Sequence, residues 1–378
     1  MNSLVPILIF VFILSLVIFI HELGHFLAAR KVGIFVEEFA LGMGPKLIQL
    51  KGKKRSKYVH PDDTEGEVTL YTLRLFPIGG YCKMRDDNED IKDDPEAMNN
   101  KSIKARILVV TGGSIMNFLL AFLLFFLLVM MRGYNIMDVR SLDPEKPGYH
   151  AGLQVGDRIT HINGSRVSLH EDFMFMMEMN GGQEMEMRVD RNGQSVNLQV
   201  TPQWLPDQER FVIGFTHGRM FGLIHSRPDD PNFDFRRVQV PGGMLTAAEM
   251  IVFHIRAPFR MLARAVNGET MPEGAGFVGP IGLGGQVVEV YEEVVEFGFL
   301  SLFLTMLLFT ALINAALGVM NLLPIPALDG ARLVFLIVEG IRRKPVPQEK
   351  EAMVHFVGIV CLLALAAFIA YRDIVRLL

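Results

Sequence analysis

The sequence predicts a mainly α membrane protein. A core of four transmembrane helices is expected, with a membrane-associated β-hairpin after the first and one inserted extracytoplasmic α+β domain. Three observations predict this. Four apolar segments, roughly 4–29, 107–131, 297–320 and 352–371, are each long enough to cross a bilayer. Half of the 378 residues are hydrophobic and the mean hydropathy is +0.31. That is high for a soluble chain and low for one immersed in lipid throughout. Between the second and third spans, residues 132–296 carry the Gly-Asp and Asn-Gly turn signals of a compact domain. The formal net charge of −4 leaves no electrostatic footprint for nucleic acid, and none is expected as a partner. Cys82 and Cys361 stand far apart and imply neither a disulfide framework nor a zinc ribbon.

The first span, residues 1–31, has no basic leader and no small-residue cleavage site, so it reads as retained. Its apolar run, Leu4 to Ile20, ends in His21-Glu22-Leu23-Gly24-His25. Two histidines four apart share one helix face. They can offer two imidazole nitrogens to one zinc, with Glu22 beside the attacking water. The bland alternative is a pair of histidines capping the span at headgroup level. Depth weighs against it: seventeen residues at 1.5 Å each place His21 about 25 Å along the helix. Ionisable groups at that depth are costly and mark function. A hydrolytic zinc site inside a membrane points to peptide cleavage at membrane depth. The 28 Phe and 22 Met fall mostly in the apolar runs and read as lipid contact and packing.

Lys and Arg near the span ends set the orientation. Arg30, Lys31, Lys101, Lys104, Arg106, Arg342, Arg343, Lys344 and Lys350 fall on one side, and the acidic approach Glu289, Glu292, Glu293 and Glu296 on the other. Residues 30–106 and 321–351 are therefore expected in the cytoplasm and 132–296 outside. Arg372 and Arg376 run against this rule.

Residues 32–106 read as β-rich. Glu67 to Leu73 alternates polar and apolar, and Phe76-Pro77-Ile78-Gly79-Gly80-Tyr81 turns. Composition leaves two readings open, a hairpin dipping into the bilayer and an ordinary surface hairpin. Residues 86–100, acidic and polar, are expected to be a mobile loop. The second span, 107–131, contains Gly112, Gly113 and Asn117.

Residues 132–215 are expected to form a PDZ domain. Gly152-Leu153-Gln154-Val155-Gly156-Asp157-Arg158-Ile159 through Asn163-Gly164 has that cadence, with a helix near 169–180 and strands near 184–190 and 195–201. Such domains bind extended chain ends by strand addition, and Ile213, Gly214 and Phe215 are the candidate ligand loop. In the region 216–296, the stripe Ala248, Ile251, Val252, Ile255, Phe259, Leu262 and Val266, with Arg256, Arg260 and Arg264 on another face, fits a helix lying on the membrane. The alternative is a helix packed on the PDZ domain. Pro258 is expected to kink it.

A catalytic zinc needs a third protein ligand. Asp329 stands in Asn321-Leu322-Leu323-Pro324-Ile325-Pro326-Ala327-Leu328-Asp329-Gly330, after the third span, in the segment 297–351. Two prolines so spaced forbid regular helix, and irregular backbone at membrane depth survives only beside protein or a wet cavity. The competing role for Asp329 is the N-cap of a following helix; Glu339 is the second choice of ligand. Glu22 would act as general base, and Asn321 would bind the substrate main chain or the oxyanion. A helical substrate must unwind first, and an edge strand of the 68–85 hairpin could hold it. Residues 352–378 carry the fourth span. A non-enzymatic PDZ scaffold would leave the metal motif idle, and a di-iron oxidoreductase would need clustered histidines. His60, His150, His161, His170, His217, His225, His254 and His355 are scattered instead.

On these residues the chain resembles the bacterial site-2 proteases, intramembrane zinc metalloproteases of the type that cleave anti-sigma factors. HELGHF at 21–26, the NxxPxxxLDG pattern at 321–330, GGYCKM at 79–84, Gly112-Gly113-Ser114 to Asn117, and Phe277 to Gly282 carry the resemblance. It implies one Zn2+ per chain held by His21, His25 and Asp329, with Glu22 catalytic. It implies a membrane-reentrant β-loop in which Gly79, Gly80 and Tyr81, with Asn321 and Pro324, meet substrate. The implied partners are the lipid bilayer and single-span membrane proteins pre-cleaved by a site-1 protease. The implied location is the bacterial inner membrane, with the active site toward the cytoplasm and the PDZ domain outside as a size filter. Ser114 stands where proline is usual and Ala331 where a second glycine is common.

Overall fold

The computed structural model describes residues 4–56, 68–85, 94–208, 210–225, 235–267, 279–344 and 346–377. In chain order the elements are α1 (Leu4–Val32), β1 (Val36–Arg55), β2 (Val68–Met84), α2 (Ile103–Arg132), β3 (Gly133–Leu142), α3 (Pro147–His150), β4 (Arg158–Ile162), β5 (Ser165–Arg166), α4 (His170–Asn180), β6 (Met185–Arg191), β7 (Gln194–Val200), β8 (Gln203–Leu205), β9 (Arg210–Val212), β10 (Phe215–Phe221), β11 (Arg236–Arg237), α5 (Val240–Val266), α6 (Pro280–Val295), α7 (Phe299–Leu322), α8 (Asp329–Arg342) and α9 (Gln348–Leu377). They form two compact units, residues 1–121 with 277–378, and residues 122–276.

Among the described residues, four helices are long and apolar enough to span a membrane: α1, α7 and α9 of the first unit, and α2, which leaves it. Their exposed side chains include Leu8, Phe12, Phe299, Phe356, Leu363 and Phe368, a surface that only lipid tails solvate without cost. The helices approach closely through small residues. A Cβ on Gly24 of α1 would run into the Gly112 carbonyl of α2, and one on Gly112 would lie 2.8 Å from the Gly24 carbonyl oxygen. The sequence offered no separate α6. It packs on the spans, with Val287 buried among Ile13, Val17 and Met306.

β1 and β2 are long, bent strands. The first half of β1 pairs on both sides, Leu41 with Gly80 and with Leu73. Gly42, Gly44 and Gly79 make the bends at φ +87°, +84° and +92°, which cost glycine little. Met43, Leu47, Leu75 and Phe76 at the tip are exposed. The Ser15 hydroxyl in mid-α1 donates to the Pro77 carbonyl. That contact packs the tip against the middle of α1. The expected mobile loop needs correction over residues 94–100; residues 86–93 lie outside the described residues. Asp94 is fully buried, 3.0 Å from Arg85 Nη1, and Arg85 stacks on Phe35. Breaking such a buried pair costs about 3–5 kcal/mol, so this segment is anchored.

The second unit contains the domain read from the sequence as a PDZ domain. Strands in the order β11-β10-β3-β4-β6-β7 form its sheet, with β5 beside β4. Alternate residues Met185, Met187 and Val189 point inward to meet Phe173 and Met177 of α4. α5 packs on this unit through Phe253 against Phe175 and Arg260 3.7 Å from Asp172. Its other face leaves Leu245, Val252, Phe259, Leu262 and Val266 exposed. The domain-packed reading thus holds for one face. Pro258 is accommodated inside the continuous helix.

His254 of α5 stacks on Phe125 of α2, with centroids 5.5 Å apart, and burial holds its imidazole down at about 4. The unfolded chain binds that proton more readily, so acid favours unfolding. The contribution is whole above about pH 6.5 and is lost toward pH 4, on the order of 3 kcal/mol. Thermal melts of the full chain in detergent should therefore drop between pH 7 and 5, and by less in His254→Phe. Equal drops would contradict this role.

Candidate metal centre

The site begins with helix periodicity. His21 and His25 lie one turn apart on α1, each 8 % exposed, and meet the first residue of α8. His21 Nε2 and His25 Nε2 are each 3.1 Å from Asp329 Oδ2 and 3.1 Å from each other. Leu328 occupies the N-cap of α8 without a side-chain bond, so the expected cap role for Asp329 is not used. Glu339, the second-choice ligand, is engaged elsewhere in a bidentate pair with Arg106 of α2.

Proton bookkeeping shows what the triangle holds. His25 Nδ1 lies 2.8 Å from the Val109 carbonyl, which only accepts, so Nδ1 carries the proton and Nε2 presents a lone pair. His21 Nδ1 lies 3.3 Å from the amide nitrogen of Asn117, a fully buried residue. Among the described residues the Asn117 oxygen has no partner. Half a turn of the amide gives it one, accepting from His21 Nδ1–H, and leaves His21 Nε2 bare as well. Two imidazole lone pairs and a carboxylate oxygen then face one another at 3.1 Å. They repel unless a cation sits among them. A tetrahedral zinc with bonds near 2.0–2.1 Å sets its ligand atoms about 3.3 Å apart, close to the observed spacing. The residues present fit the ion. Second partners of this kind fix the tautomer of metal-bound histidines.

α2 reaches the histidines because of Gly113. A Cβ there would lie 2.5 Å from both His25 Nε2 and His21 Cε1. Gly330 is likewise wedged under the chain, where a Cβ would strike the Leu323 carbonyl.

A cavity of ≈ 400 Å³ opens on the triangle, lined by Ile18, Glu22, Tyr81, Cys82, Asn321 and Arg332 among others. Asn321 Nδ2 lies 3.4 Å from His21 Nδ1. Glu22 faces the backbone N–H of Cys82, and a Cβ on Gly80 would be 3.4 Å from Glu22 Cγ. Tyr81 lines the cavity, while its hydroxyl donates to Glu38 at 2.7 Å. Pro324 is exposed and outside the lining, where it breaks the chain between α7 and α8. Gly79 is also outside, turned against Met43.

In the other unit, Ile213 is buried and its carbonyl accepts from Gly148 N–H at 2.7 Å. Gly214 turns at φ +84°, and Phe215 opens β10 against Phe173. Sequence reasoning gave no role to the Val109 carbonyl, and it singled out Asn117 only as part of the Gly112-Gly113-Ser114 to Asn117 pattern of the second span.

A family model described as Peptidase family M50 matches residues 9–365. A Clostridium acetobutylicum protein named "Putative zinc metalloprotease CA_C1796" is 33% identical over 374 residues, 99% of this chain and 97% of that one. "Regulator of sigma-W protease RasP" of Bacillus subtilis is 27% identical, covering 97% of this chain and 98% of its own. The solved PDZ domain of an SdrC-like protein from Listeria innocua covers 22% of this chain and 92% of its own, at 19% identity and a TM-score of 0.20.

Asn117→Ala should weaken zinc binding about 10–100-fold, and Gly113→Ala, which pushes both imidazoles aside, should weaken it further. Titration of the detergent-solubilised protein against a zinc-buffering chelator measures both. Wild-type affinity in Asn117→Ala would remove it from the site.

Proposed function

Because the chain belongs to peptidase family M50 and is a zinc metalloprotease, we propose that it is an intramembrane endopeptidase. It binds one Zn2+ per chain through His21, His25 and Asp329. Its substrates are single-span membrane proteins, such as pre-cleaved anti-sigma factors or signal-peptide remnants, cut within or near the span. The observation that carries this reading is the 3.1 Å triangle of ligand atoms on helices of membrane-spanning length. Zinc, when bound, would supply Lewis-acid polarisation of the scissile carbonyl and lower the pKa of a bound water toward about 7.

The chain's own residues do the rest. Glu22, in the same cavity, takes the proton of the attacking water and passes it to the leaving amine. Asn321 offers its amide N–H to the substrate carbonyl oxygen. The 80–84 edge of β2, beside Glu22, receives the unwound substrate as an added strand. The basic span ends at 30–31, 101–106 and 342–350 support a cytoplasm-facing site in a bacterial inner membrane, with the PDZ domain outside. The Ile213-Gly214-Phe215 turn, opening on β10, is the reading for its ligand loop. A relative named a regulator of sigma-W protease supports a substrate that controls a sigma factor.

Two variants test the assignment. Glu22→Gln should keep zinc and lower cleavage of a single-span substrate in detergent by roughly 10²–10⁴-fold. Asp329→Ala should lose zinc and activity together. Undiminished cleavage by Glu22→Gln, or stoichiometric tightly held zinc in Asp329→Ala, would overturn these roles.

A further inference from the structure

The segment delivering Asp329 is short and strained. Leu323 to Leu328 joins α7 to α8 with prolines at 324 and 326, which have no N–H to give. Ala327 sits at φ +78°, a region L-residues other than glycine avoid. Such a conformation persists only where the surroundings hold it. The holding group comes from the fourth span. The Ala327 N–H donates to His355 Nδ1 of α9 at 3.0 Å. The other nitrogen of that ring then carries the proton, and it lies 3.9 Å from Glu351 Oε1. The ring rests against Phe335 of α8, with centroids 5.9 Å apart. One turn further along α9, Gly358 has no side chain, and a Cβ there would collide with Pro326. α9 thus grips the segment at Pro326 and Ala327, directly before the ligand. Ala327 itself lines the metal cavity.

We infer that His355 is a positioning residue for the metal centre: by accepting the Ala327 N–H it locks the left-handed backbone that aims the Asp329 carboxylate at His21 and His25. The inference rests on the reading of Asp329 as a ligand. A ligand oxygen must sit within about 0.2 Å of its bonding distance. Release of Ala327 to its preferred negative φ would rotate the peptide two residues ahead of Asp329 and move that oxygen further than this. His355 belongs to neither metal motif, and its role is carried by geometry alone.

The test uses the full chain in detergent, with zinc affinity measured by chelator competition and the Co(II)-substituted absorption spectrum as a second readout. His355→Leu, which removes the acceptor, should lose zinc affinity about 10–100-fold and shift the cobalt bands. His355→Asn, whose Oδ1 falls where Nδ1 was, should stay within about threefold of wild type. Adding Ala327→Gly to His355→Leu should restore most of the loss, since glycine accepts this φ unaided. Wild-type affinity in His355→Leu overturns the inference, as does an equal loss in His355→Asn with no recovery from Ala327→Gly. Asp329→Ala separates the two levels. If it keeps wild-type zinc affinity, the ligand assignment fails; if it loses zinc while His355→Leu does not, only the role of His355 fails.

Discussion

Three electron pairs pointed at one another, inside a membrane, are the constraint on which the rest of this structure depends. His21 Nε2, His25 Nε2 and Asp329 Oδ2 stand 3.1 Å apart, and both imidazoles have their other nitrogen committed on α2. In water such a cluster would loosen or take up protons. With both imidazoles buried, the repulsion is felt more strongly than in water, because electrostatic energies grow as the effective dielectric falls. A divalent cation turns the same geometry from repulsive to strongly bound.

Each neighbouring feature follows from holding that geometry. The helix bearing the two histidines must accept a partner at backbone contact, so Gly24, Gly112 and Gly113 face one another where larger residues would collide. That approach delivers the Val109 carbonyl and the Asn117 amide, eight residues apart and so about 80° apart around α2, to the two imidazoles. The Arg106–Glu339 pair joins the start of α2 to the far end of α8, the helix that Asp329 begins. One helix therefore sets the tautomer of both imidazoles and is tied to the helix that begins with Asp329.

The sequence was informative where chemistry is written in side chains at fixed spacing, and silent where it is written in backbone. The i, i+4 histidines and the aspartate after two prolines could be read directly, as could the four spans and the strand-helix-strand order around α4. The Val109 carbonyl could not, because any residue supplies one. His355 looked like a single polar residue in an apolar run until its partner came into view, and Asn117 carried a motif position but no assigned contact. α6 was hidden because Gly282, Gly284, Gly285, Gln286 and Glu289 dilute its hydropathy, although Val287 is fully buried. The hairpin was ambiguous for a related reason. Proline, glycine and exposed apolar residues suit a loop at the surface as well as one in lipid; the contact with Ser15 packs the tip against α1.

The hairpin's place against α1 also bears on how an intramembrane peptidase would meet its substrate. A transmembrane helix satisfies its own backbone, and each polar group freed by unwinding in hydrocarbon costs several kcal/mol. Cleavage must therefore occur where replacement partners already wait. Residues 80–84 pair with β1 along one edge, and among the described residues the other edge takes no strand. Gly80 lies against Glu22, so the strand offering substitute hydrogen bonds is the one nearest the base. A segment that leaves its helix elsewhere in the bilayer meets no such compensation. On the proposed reading, the unwinding cost confines hydrolysis to this edge, and substrates whose spans are already weakened by glycine or proline would reach it most readily.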